Sequence, residues 1–141
     1  MDNIERTIRT GEAVDAVIKH HPSKAVRLME EIIAFSSTDE VYRVCRLLAE
    51  MGLQNLLQIH VPTPGQMWAM KEPAPHGQCH PAHVFSARFI TAHANDDDEQ
   101  CKVLFDILLT KPQQEFASGI MALLTDVGNL TRRVLEAHPS A

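Results

Sequence analysis

Residues 101–128 read CKVLFDILLTKPQQEFASGIMALLTDVG. Val103, Leu104, Ile107 and Leu108 recur at steps of three and four, and Phe116, Ile120, Leu123 and Leu124 do so again after Pro112. That period gathers apolar side chains onto one stripe of an α-helix. Proline fits the first turn of a helix, where its missing N–H has no partner to lose. The stretch therefore predicts two helices joined by a tight turn, the first capped by Asn95 and the second stopped by Gly128.

Residues 25–52, AVRLMEEIIAFSSTDEVYRVCRLLAEMG, can be laid on 101–128 without a gap. Leu28 then falls on Leu104, Ile32-Ile33 on Leu108-Leu109, and the run Leu47 to Gly52 on Leu123 to Gly128. Stacked helical repeats give such self-similarity. So do any two leucine-rich amphipathic helices that end in glycine.

Outward from this pair the helical period continues. Ile4, Ile8, Gly11, Val14, Val17 and Ile18 form one stripe, expected to face a core. Asp2 and Glu5 have capping-box spacing, and His21-Pro22 closes the segment. Ser23 opens a second helix with Val26, Met29, Ile32 and Ile33 inward. Thr38 or Asp39 caps a third, carrying Val41, Val44, Cys45, Leu48 and Met51 up to Gly52. Residues 53–60 form a short apolar segment, 82–94 a further helix with Val84, Phe85, Phe89 and Ile90, and 129–138 a last one. The expectation is an all-α domain of seven or eight short helices, arranged as a bundle or a short solenoid-like stack, over residues 1–141.

One segment departs from the pattern. Between Val61 and Pro81 lie Pro62, Pro64, Pro73, Pro75 and Pro81, with Gly65 and Gly77, so no regular helix runs through it. Met67-Trp68-Ala69-Met70 falls inside, with the single tryptophan of the chain. Tryptophan pins loops to cores and also anchors interfaces, while methionine adapts to varied surfaces. Met67, Trp68 and Met70 are thus the candidate partner-binding residues.

Of the eight histidines, His76, His80, His83 and His93 cluster around Cys79. Imidazole and thiolate are the usual zinc ligands. His76, Cys79 and His83 are the candidate metal set, with His60 or His93 in the remaining position; loop histidines without an ion are the alternative. The same residues would serve a Cys–His nucleophile. Asp96-Asp97-Asp98-Glu99 lies where a helix begins, and carboxylates there complement the helix dipole without any cation. No phosphate loop or nucleophile elbow is present.

Composition narrows the classes further. Hydrophobic residues make up 45% and charged residues 22%, proportions of a globular chain. The net charge of −5 disfavours nucleic-acid binding, which needs cations to displace phosphate counterions. Arg43, Arg46, Arg132 and Arg133 read as solvated helix faces. No apolar run approaches the ~20 residues of a membrane helix, and three unspaced cysteines fit a reducing, cytoplasmic compartment. These features lead to a non-catalytic protein–protein interaction protein of adaptor, chaperone or inhibitor type, with a protein partner or a homodimer, and without nucleic acid, membrane or cofactor. The alternative is a zinc-binding regulatory protein; a thiol or hydrolytic enzyme comes third.

Overall fold

The computed structural model describes residues 1–59, 68 and 80–137. Among them the chain is entirely helical, with α1 over Asn3–Ile18, α2 over Pro22–Ala34, α3 over Thr38–Ile59, α4 over Pro81–Ala94, α5 over Asp98–Leu109 and α6 over Gln113–Ala137. No helix of the described residues is long and apolar enough to cross a membrane.

Local chemistry sets the boundaries. Asp2 accepts from the Glu5 backbone N–H at 2.7 Å and starts α1. The helix ends in a Schellman turn: His20 takes a left-handed φ of 59°, and the His21 N–H reaches back to the Ala16 carbonyl at 2.8 Å. Pro22 then opens α2. The start of α3 is a reciprocal capping box. Ser37 Oγ accepts from the Glu40 N–H at 3.2 Å, and Glu40 Oε1 accepts from the Ser37 N–H at 2.8 Å. The N-cap is therefore Ser37, not Thr38 or Asp39, because only Ser37 has glutamate three residues on. Asp97, not Asn95, caps α5, accepting from the Gln100 N–H at 3.1 Å.

Six helices replace the expected seven or eight because Gly52 and Gly128 do not end anything. Both lie inside long helices, α3 and α6. A Cβ on Gly128 would stand 2.3 Å from Val17 Cγ1, so glycine there lets α1 and α6 touch backbone to side chain. Gly52 faces Val127 and Leu130 of α6 and Ile90 of α4, with more room, the nearest atom being Val127 Cγ2 at 3.4 Å. The two glycines mark crossings, and the apolar segments beyond them continue their helices.

The six helices share one core, built around Met29, Ile32, Leu48, Phe89, Phe105, Ile120, Leu123, Leu124 and Val127. α1 packs on α2 and α6, α4 on α3, α5 and α6, and α3 on α6. Tyr42 stacks its edge on Phe89 and tilts over Phe105, joining α3 to α4 and α5. On α1 the first half of the stripe expected to face the core is turned outward, with Ile4 74% and Ile8 56% exposed, while Val14 is buried and Val17 and Ile18 pack against the core. The buried positions are Arg6, Thr10, Ala13, Val14 and Ala16, and beyond Arg6 these are small or medium-sized residues that let α1 lie close to its neighbours. Arg6 is tolerated inside because every arm is bonded, to Ser36 Oγ, Asn3 Oδ1, the Met1 carbonyl and Glu40.

The interval relating 25–52 to 101–128 recurs in the backbone. It carries His20 onto Asp96, the two non-glycine residues with positive φ among those described. It also carries the His21-to-Ala16 bond of 2.8 Å onto an Asp97-to-Ala92 bond of 2.9 Å. Ala25 and Cys101, Met29 and Phe105, Ile32 and Leu108, Val44 and Ile120, and Leu48 and Leu124 correspond and are all buried.

Candidate binding groove and the histidine sites

Five of the sequence-predicted site residues, Met67, Met70, His60, His76 and Cys79, lie outside the described residues. Trp68, His83 and His93 lie within them. Trp68 is half-buried. Its backbone N–H donates to Asn95 Oδ1 at 2.7 Å, and Asn95 Nδ2 donates to its carbonyl at 3.0 Å. Asn95 thus works as a clasp at the end of α4. Trp68 lines a cleft of about 470 Å³ with Leu56, Ile90, Leu130 and Arg133.

His93 belongs to a polar network between α3, α4 and α5. Its Nδ1 accepts from Arg46 Nε at 2.9 Å, so the ring proton sits on Nε2 and points to Glu50 Oε2 at 2.7 Å. Arg46 also donates to Tyr42 Oη at 3.1 Å and to Asp98 Oδ1 at 2.7 Å. The His93 hydrogen bond holds the Glu50 carboxyl below the usual glutamate range. His83 instead faces Asp126 of α6 at 3.2 Å. His83 and His93 stand nearly three turns apart on α4, about 15 Å along the axis. Zinc–nitrogen bonds are about 2 Å long, so the two cannot serve one ion while α4 is intact. Among the described residues no three His, Cys, Asp or Glu side chains converge as a metal site.

Cys79, the thiol of the Cys–His reading, lies outside the described residues. Cys45 and Cys101 are buried in the core, and burial pushes both thiols up, away from the reactive thiolate. The acidic run is spent on helix structure: Asp97 caps α5 and Asp98 pairs with Arg46.

A groove of about 620 Å³ lies where the first half of α4 meets the last half of α5 and the start of α6. Its apolar lining comes from Val84, Phe85, Leu104, Ile107 and Leu108, with Arg88, Lys111 and Glu115 at the rim. Neither Arg88 nor Lys111 has an ion-pair partner among the described residues. Ile107 is 52% exposed. The sequence held a signal for this. Val103, Leu104, Ile107, Leu108 and Leu109 cover too wide an arc of a 12-residue helix for α4 and α6 to bury all of it.

No known protein family, characterised protein or solved structure matches this chain. The groove has an internal point of comparison instead. The interval that carries His20 onto Asp96 carries Arg9 onto Phe85 and Glu31 onto Ile107. Arg9 bridges α1 to α2 by pairing with Glu31, and it also pairs with Glu5 at 2.8 Å. The place held by an ion cluster in the first half is apolar in the second, with Phe85 buried and Ile107 half exposed.

Proposed function

We propose that this chain is a non-catalytic protein-binding module, built by internal duplication of a three-helix unit, that docks a protein partner in the α4–α5–α6 groove. The matched Schellman turns, buried positions and crossing glycines of the two halves support the duplication. The observation that carries the function is the contrast between them. Where α1 and α2 are tied by Arg9 and Glu31, α5 leaves Ile107 half exposed in an apolar groove that the buried Phe85 of α4 helps to line. Exposing apolar surface costs about 25 cal/mol per Å² relative to burying it, so an apolar face left half exposed where its twin holds an ion pair suits a surface that another molecule covers. Arg88 and Lys111, which have no ion-pair partner among the described residues, supply orientation and specificity at its edge.

Trp68 takes a smaller part than the sequence suggested. Its backbone is clasped to Asn95 and the residue is half-buried, which favours a role in holding Trp68 against the end of α4. A zinc-regulated reading would draw on His83, already engaged with Asp126, and on residues outside those described.

Site-specific photo-crosslinking in the native cells tests the proposal. A photoreactive amino acid at Ser118, in the groove wall, should yield covalent protein adducts, and one at exposed Lys24 on α2 should not. Absence of any protein adduct from Ser118, or equal adducts from both positions, would refute it.

A further inference from the structure

The outward face of α1 carries apolar side chains that nothing in the described chain covers. Ile4 and Ile8 are among the most exposed large apolar residues, and Phe35, at the end of α2, is 66% exposed. Phe35 lies beside the first turns of α1, because Arg6 of α1 bonds the adjacent Ser36 at 2.7 Å. Gly11 continues the stripe. A glycine inside a helix costs roughly 0.5–1 kcal/mol relative to alanine, yet a Cβ here would meet nothing within 4 Å. Unlike Gly128, Gly11 is not required by any contact among the described residues. A bare backbone on an apolar stripe permits close approach by a surface from outside. Glu12, beside the stripe, has no ion-pair partner among the described residues.

The groove needs an occupant of matching kind. Its walls are helices whose backbone hydrogen bonds close internally, so an extended segment gains no main-chain bonds from them. A helix, which satisfies its own backbone, is the suitable guest. It must be apolar toward the floor and acidic toward Arg88 and Lys111. We infer that the groove receives the Ile4–Ile8–Gly11 face of α1 from a second copy of this chain, with Phe35 at its margin and Glu12 toward the cationic rim. The inference rests on the groove being a protein-docking surface. Face and groove are different surfaces, so the contact is heterologous: each copy offers one of each.

That asymmetry makes the test. Sedimentation velocity of the purified full chain should show association that grows with concentration. Ile8→Glu and Ile107→Glu each place a charge on an exposed position, and circular dichroism should show both folded. Each should weaken association by roughly 30-fold or more in Kd, the scale of losing one interface anchor. Mixed together they should form a one-to-one complex that goes no further, since one variant keeps its groove and the other keeps its face. A wild-type chain monomeric at all concentrations would overturn the inference, as would association untouched by either variant. Loss with Ile8→Glu that Ile107→Glu cannot complement would also overturn it, because α1 would then pair with itself. A monomeric chain whose Ser118 crosslinks to a different protein sinks this inference and leaves the groove reading standing; no protein adduct from Ser118 sinks both.

Discussion

Replacing glycine by alanine at three helix positions should give different outcomes from one chemical change. Inside a helix the exchange is ordinarily favourable by roughly 0.5–1 kcal/mol, because alanine loses less backbone entropy on folding. At Gly128 the added Cβ would lie 2.3 Å from Val17 Cγ1 and 2.7 Å from Val17 Cβ. Ordinary carbon contacts sit near 3.5–4.0 Å. Valine is stiff about χ1, and its Cβ moves only with the backbone, so α1 and α6 must separate by about 1 Å. Overpacking of this kind costs about 1–3 kcal/mol, which exceeds the propensity gain. Gly128→Ala is expected to lower stability by about 1–2 kcal/mol net, read as a smaller urea midpoint at unchanged slope. Val17→Ala removes the nearer clash, so the double variant should lose less than the sum of the single changes. At Gly52 the nearest atom, Val127 Cγ2, is 3.4 Å away, and alanine should be neutral or mildly stabilising. At Gly11 it should stabilise the monomer by about 0.5–1 kcal/mol while weakening self-association. Equal stabilisation at Gly128 and Gly11 would refute the α1–α6 crossing and return Gly128 to a helix stop.

Three other outcomes follow from the structure. Asn95→Ala removes both bonds to the Trp68 backbone and should cost about 1–2 kcal/mol, seen as a lower melting temperature; unchanged melting with lost partner binding would restore Trp68 as a partner-facing anchor. Asp96→Gly and His20→Gly relieve left-handed backbone and should each raise stability by about 0.5–1 kcal/mol in urea denaturation, where a loss at either would contradict the Schellman assignment. Glu40, held below the ordinary value of 4.5 by the Ser37 N–H, and Glu50, held below it by His93, favour the folded state while ionised. Their contribution is present above that value and fades as pH falls through the lowered folded one, so Glu50→Gln should flatten the acid side of the stability profile, and a parallel profile would exclude it.

The helical class was legible because the steps of three and four are physical requirements of a buried stripe. The caps were legible where one side chain decides them, as at Asp2. Three features escaped for separate reasons. Gly52 and Gly128 carry the composition of a helix stop, and only the third dimension shows Val17 and Ile90 opposite them. Ile4 and Ile8 obey core periodicity, but the inward side of α1 is claimed by Arg6 and alanines that allow a closer fit. The groove was hard to place because Ile107 looks like an ordinary core residue, and its exposure depends on how α5 packs against its neighbours, while Phe85 beside it is in fact buried. The histidine cluster showed the reverse effect, since helical α4 separates His83 from His93, which sequence proximity had drawn together.

The most direct test of the groove charges its apolar wall. Ile107→Glu places on the exposed α5 wall the residue type that Glu31 provides in the first half, where it pairs with Arg9. With folding verified by circular dichroism and melting, the adduct yield from a photoreactive residue at Ser118 is measured in wild-type and Ile107→Glu chains. The account predicts that the charge abolishes the protein adduct in a chain that still folds. Undiminished crosslinking to the same protein from a folded Ile107→Glu chain would contradict it.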